Sequence, residues 1–146
     1  RWIYPPNWAG ELPTAQGVGW RKMSVLLLGT SDGTGETDAV KVNLSELRGP
    51  TGRVPTRTVI QKILYEIHGP TIVLEWDRAA DVVIARLNAG TVAGDIAGEL
   101  DFTDKGKQAG LTDPGGEGTG DILLTSTNCG SGDSYNIKID FYLKED

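Results

Sequence analysis

Residues 135–144 read Tyr-Asn-Ile-Lys-Ile-Asp-Phe-Tyr-Leu-Lys. Tyr135, Ile137, Ile139, Phe141 and Leu143 fall on one side of an extended chain. Asn136, Lys138, Asp140, Tyr142 and Lys144 fall on the other. Successive side chains of a strand point to opposite faces, so this period of two marks a half-buried β-strand. The same reading extends backward. In Thr71 to Trp76, Ile72, Leu74 and Trp76 alternate with Val73 and Glu75. In Ala39 to Leu44, Val40, Val42 and Leu44 alternate with Lys41 and Asn43. Lys22 to Leu28, Val82 to Leu87 and Asp121 to Thr125 are short apolar runs of strand character, and a weaker signal lies around Glu99 to Thr103. Tyr135, Ile137, Ile139, Phe141, Leu74 and Trp76 are expected in the core.

Val59 to Ile67 (V-I-Q-K-I-L-Y-E-I) fits two patterns. Val59, Ile60, Ile63, Leu64 and Ile67 make a helical stripe, while Ile63, Tyr65 and Ile67 make a strand face. The strand is preferred because the neighbouring runs are strands. His68-Gly-Pro-Thr71 would then turn it into a hairpin with the Ile72 strand.

Glycine-rich connectors separate the runs: Ser31 to Asp38, Arg48 to Pro55, Asn88 to Gly120 and Asn128 to Asp133. Short strands, frequent turn signals and almost no helix predict an all-β fold. The expected architecture is a single antiparallel β-sandwich, jelly-roll or Ig-like Greek key, of about seven to nine strands, spanning 19–146. Residues 1–18 are expected as an extended N-terminal arm. Trp2, Tyr4 and Trp8 sit there beside Pro5 and Pro6, which fix φ and remove two backbone donors. Such an arm either folds back on its own domain or docks on another chain, since Trp and Tyr favour tight interfaces.

Composition narrows the function classes. The chain has 146 residues, 20 of them glycine, with one cysteine and one histidine. An internal disulfide and a multi-Cys zinc site are excluded, and a Ser/Cys-His relay is improbable. No apolar run is long enough to span a bilayer as a helix. No signal peptide is visible, and because the numbering opens on Arg1 a few residues are expected to precede it. The net charge of −6 is uneven, +2 over residues 1–73 and −8 over 74–146. An acidic chain repels phosphate, so nucleic acid is not an expected partner; no membrane is expected as a partner either.

Among chemical constellations, the loop Asp32-Gly-Thr-Gly-Glu36-Thr-Asp38 is the best metal candidate, with three carboxylates on a flexible turn. It serves equally as a plain turn, as does Asp113-Pro-Gly-Gly-Glu117-Gly-Thr-Gly-Asp121, and no tightly bound metal or other cofactor is expected. Glu75, Asp77, Asp81, Asp101 and Asp104 could supply a carboxylate pair for glycoside hydrolysis, but no spacing pins any two together. His68 is expected exposed at a turn and Cys129 incidental. Trp76 reads as a core residue, with a sugar-stacking Trp as the alternative; Asp77 and Arg78 read as a surface pair. Arg48, Arg53, Arg57 and Lys62 form a run of positives without an acid, either a solvated loop or a contact for an acidic partner surface. The candidate partner-binding residues are therefore Trp2, Tyr4, Pro5, Pro6, Trp8, Arg48, Arg53 and Arg57.

Six stretches carry a resemblance: Trp2-Ile-Tyr-Pro-Pro-Asn-Trp8, Gly33-Thr-Gly-Glu-Thr-Asp38, Leu47-Arg-Gly-Pro-Thr-Gly52, Leu74-Glu-Trp-Asp-Arg78, Gly120-Asp-Ile-Leu-Leu-Thr125 and Gly132-Asp-Ser-Tyr-Asn-Ile137. Together they resemble a family of small capsid decoration, or cement, proteins of tailed and often marine bacteriophages. The resemblance implies a virion structural part, assembled in the host cytoplasm, without enzyme activity. It implies binding to the major capsid protein on the shell's outer surface, with contact to copies of itself left open. It carries over no functional residue. Thr91 to Gly110 shows nothing of the family and is expected to be a variable loop. A neck or tail component stays open, as does a carbohydrate-binding β-sandwich module, calcium-dependent or not.

Overall fold

The computed structural model describes residues 2–4, 22–49, 51–88, 94–103 and 110–145. Ten strands occur among them: β1 (Trp2–Tyr4), β2 (Lys22–Asp32), β3 (Ala39–Val42), β4 (Arg57–Gly69), β5 (Thr71–Trp76), β6 (Val82–Leu87), β7 (Gly94–Asp101), β8 (Leu111–Thr112), β9 (Ile122–Thr127) and β10 (Ser131–Lys144). One 3₁₀ turn, Leu44–Glu46, is capped by the Asn43 side chain, which accepts from the Ser45 amide.

The strands form two antiparallel sheets. Sheet A has the order β1-β2-β10-β4-β7, with β8 also pairing β4; sheet B has the order β3-β9-β5-β6. Without the short β1 and β8, eight strands remain, ordered 2-10-4-7 in one sheet and 3-9-5-6 in the other. The chain changes sheets at nearly every connection, and each sheet interleaves early and late strands. That is the double Greek key of a jelly roll, so of the two sandwich types expected the jelly roll is the one formed.

The core is the seam between the sheets. Val25, Leu27, Ile63, Ile67, Ile137, Ile139 and Phe141 from sheet A meet Val42, Ile72, Leu74, Trp76, Ile122 and Leu124 from sheet B. All are essentially inaccessible to water. Each such side chain contributes about 1.5–3 kcal/mol by leaving water. The Trp76 indole finds its partner there too, donating from Nε1 to Thr58 Oγ1 at 2.9 Å.

Val59 to Ile67 lies within β4, a strand, and the reason for its double reading is now visible. The β4–β10 pairing shifts between Asp140 and Phe141, where Lys62 and Ile60 face successive residues of β10. Gln61 is the extra residue of this bulge. The phase of the alternation flips there, so Ile67 and Ile63 below the bulge and Ile60 and Thr58 above it all face inward. Inward positions 60, 63 and 67 then mimic helical spacing.

Four expectations need correction. His68–Thr71 does not close a hairpin: β4 belongs to sheet A and β5 to sheet B. Gly69, at φ +107°, turns the chain between layers instead. The region expected as a variable loop contains β7, paired with β4 over its full length. Val40 does not share a face with Val42 and Leu44; the pairing shifts between Val40 and Val42, and Val40 is exposed. The strand number exceeds the expected range through the two short additions. β1 itself lies on the edge of the protein's own sheet, with Trp2 opposite Leu26, Ile3 opposite Val25 and Tyr4 opposite Ser24.

Candidate functional site

At one end of the sandwich, where β2 leaves sheet A, a fissure of about 230 Å³ opens between the layers. The acidic loop expected as a metal candidate borders it. Its three carboxylates do not converge, because each has a separate local task. Asp32 accepts from the Thr34 amide at 3.0 Å and the Thr34 hydroxyl at 2.6 Å, closing a turn. These bonds favour the ionised form and hold its pKa below the ordinary value. Glu36 pairs with Lys41 and accepts from the Tyr135 hydroxyl at 2.7 Å. Burial pushes its pKa up, but the Lys41 and Tyr135 hydrogen bonds outweigh it and the net shift is downward. Tyr135 is pushed well above the ordinary phenol value by burial first and by Glu36 second. Asp38 and Thr125 clamp the loop to β9, with Asp38 N donating to Thr125 Oγ1 at 3.0 Å. Among the described residues, no three His, Cys, Asp or Glu side chains are placed to share a metal ion.

The second acidic loop, at the other end, is built around a buried ion pair. Arg78 Nε donates to Asp113 Oδ1 at 2.9 Å, and the two side chains are 6% and 0% exposed. The same guanidinium donates to the carbonyls of Gly116 and Thr56, both at 3.1 Å. Asp113 also accepts from the Gly115 amide at 2.9 Å, and Asp121 Oδ1 accepts from the buried Leu44 amide at 2.9 Å. Arg78 is thus not a surface partner of Asp77; Asp77 instead holds Thr119. One guanidinium organises the whole turn, a role that local sequence could not signal because its partner lies 35 residues away.

The remaining carboxylates named from sequence are dispersed. Glu75 has a raised pKa, from burial and from the nearby negative charges of Asp81 and Asp38. Asp101 accepts from the Thr103 amide at 2.8 Å and lies 4.0 Å from Lys62. Asp104 falls outside the described residues. His68 is exposed at the end of β4, 2.9 Å from Glu66 and 3.5 Å from Asp95. Both carboxylates favour imidazolium, Glu66 more strongly, and raise its pKa.

The basic run does not form one patch. Arg48 donates to the carbonyls of Leu47 at 2.7 Å and Ser45 at 3.1 Å. Arg57 reaches the Asp113 carbonyl at 3.4 Å. Arg53, 3.5 Å from Glu145, keeps 71% of its side chain exposed and is the one of the three turned chiefly to solvent. Lys62 lies 3.2 Å from Glu99. Trp2 and Tyr4 are on β1, and Pro5, Pro6 and Trp8 fall outside the described residues. The molecule thus defines itself as an all-β jelly roll with both loop ends latched by hydrogen-bonded carboxylates. No protein-family model matches the chain, and no curated protein matches it.

Proposed function

We propose that the chain is a structural protein of a tailed-bacteriophage virion, a capsid decoration protein that seats on the outer surface of the major capsid protein shell and stabilises it. The observation that carries this reading is the jelly-roll topology. That architecture recurs in viral capsid domains, as it does in lectins and cupins. The inference from fold to virion is by analogy, and the six stretches that resemble the decoration family select among the analogues. A shell clamp must be rigid, and the two latched loop ends supply rigidity: Arg78 with Asp113 on one loop, Glu36 with Tyr135 on the other. The N-terminal aromatic segment supplies attachment. Its strand Trp2–Tyr4 is paired with β2 at the sheet edge. Arg53 is available to an acidic partner surface. No step of this role is catalytic. The carbohydrate-binding alternative loses its aromatic platform, since Trp76 is only 1% exposed.

The test is the composition of purified particles. Phage made from the genome that encodes this chain would be banded on a density gradient, and its proteins quantified by mass spectrometry. The proposal expects the chain at a fixed ratio to the major capsid protein and re-binding of purified protein to stripped shells. Recovery only in the soluble lysate would overturn it.

A further inference from the structure

We propose that the outer edge of β7, which no described strand pairs, is a docking strand for an extended basic segment of another protein, which adds to sheet A by backbone hydrogen bonding. The inference does not depend on the virion reading; it holds for any carrier of this domain.

The four edges of the two sheets differ. Edge strands template unwanted pairing, and proteins blunt them by shortness, bulges, prolines or charged side chains, lysine above all. On sheet A, β1 is three residues long. On sheet B, β3 is four residues long, and its pairing shifts at Val40/Val42. β6 pairs β5 across a register shift at Leu74/Glu75 and carries Arg86. β7 is neither short nor bulged, and all of its charged residues are acidic. Its eight residues pair β4 in one unbroken register from Lys62↔Asp101 to Gly69↔Gly94. It contains no Lys or Pro, and Asp95 to Glu99 are all exposed. Among the described residues no strand pairs its other side. Gly94, Ala97 and Gly98 leave the backbone open to close approach.

Charge selects the occupant. Asp95, Glu99 and Asp101 lie on the solvent face of this edge, paired in register with His68, Leu64 and Lys62. Glu66 adds a fourth carboxylate on the same face, opposite Ala97. Against these stand the Lys62 ammonium, 3.2 Å from Glu99, and the His68 imidazole, 3.5 Å from Asp95. The margin stays negative. A second copy of this chain is a poor partner. Of the antiparallel registers of β7 with itself that keep both solvent faces on one side of the sheet, the two longest place Asp95 opposite Asp101, or Asp95 opposite Glu99. An in-register parallel pairing stacks each acid on its own copy. Like charges directly opposite are destabilising and opposite charges stabilising. The edge thus resists self-association while remaining open to a strand with Lys or Arg at alternate positions, the backbone supplying affinity and the alternate side chains specificity.

The test uses the full chain and an acetylated, amidated peptide, Thr-Lys-Val-Lys-Val-Lys-Thr, as probe. Amide shifts in NMR spectra should move along 94–101 on titration, and the same peptide with Glu for Lys should bind at least about tenfold more weakly. The triple variant D95K/E99K/D101K should reverse that preference. A peptide of identical charge, N-methylated at every residue so that neither of its edges can pair in a ladder, should leave 94–101 unperturbed; this control needs no variant to fold. Equal binding of the methylated peptide, shifts confined to other strands, or no binding at millimolar peptide would each overturn the proposal.

Discussion

Arg78 and Asp113 are the residues on which a single substitution should fall hardest. Removing one member of a buried pair strands the other charge in a site without water. Asp113→Ala is expected to cost about 3–5 kcal/mol, read as a lower midpoint in urea. An apolar pair of similar volume, Arg78→Met with Asp113→Leu, should recover much of that loss, because neither charge then pays desolvation. If the single variant unfolds no earlier than the parent, the pair contributes nothing. Glu36 gives a different signature, one that depends on pH. Its pKa in the folded state lies below the ordinary value of 4.5. The stabilisation is therefore fully present above that value and lost as pH falls through the folded-state value. The melting-temperature gap between parent and Glu36→Gln should narrow from about pH 6 to about pH 3. The side chain is about a third exposed, so solvent screening keeps the whole effect under ~1 kcal/mol.

At the level of elements, the decisive joint is the corner between β4 and β5. Gly69 has φ +107°, and a Cβ there would collide with the Asp133 carboxylate. That carboxylate cannot swing away freely, because the Gly130 amide donates to it at 2.7 Å. Gly69→Ala should therefore destabilise by roughly 1–3 kcal/mol. Gly116→Ala has nearly the same backbone, φ +106°, but open space around the added carbon. It should cost less, and the difference in thermal midpoint isolates the clash from the backbone strain. Equal costs would mean the carboxylate moves aside. The same elements explain what the sequence could disclose. β5 and β10 alternate cleanly because each has one face in the core and one in water. The bulge at Gln61 disguised β4. β7 is built from Gly, Ala, Asp and Glu with two apolar residues, a composition with little strand propensity, and its pairing with β4 alone decides its state. Sheet membership was hidden for a related reason. A tight corner and a hairpin use the same turn residues, and only the partners of β5, on β6 and β9, distinguish them. For the candidate site, the acidic loops are visible as loops, but the Lys41 and Arg78 that pair with their carboxylates, and the Tyr135 that donates to one, are not visible as partners.

On the scale of the whole molecule, the jelly roll closes without its first strand. The buried cluster of described residues comes from β2–β6, β9 and β10 and from the segment around Leu44 and Leu47. β1 pairs with the outer edge of β2 over three residues. Removing residues 1–8 should then leave a cooperatively folded domain whose melting temperature falls by no more than about 2–4 °C, the shift that ~1 kcal/mol produces in a domain near 150 residues. Attachment to a shell, if the domain serves there, should respond far more strongly. Trp2, Tyr4 and Trp8 are the large aromatics of this segment, and aromatic anchors dominate binding energy where they occur in interfaces. Circular dichroism melts of the truncated chain, run beside a shell-binding assay, separate the two effects. Intact folding with lost binding assigns the segment to attachment. A truncated chain that fails to fold would instead make the segment part of the sandwich's own stability. Its pairing to β2 would then be a structural necessity rather than the anchor point of a clamp.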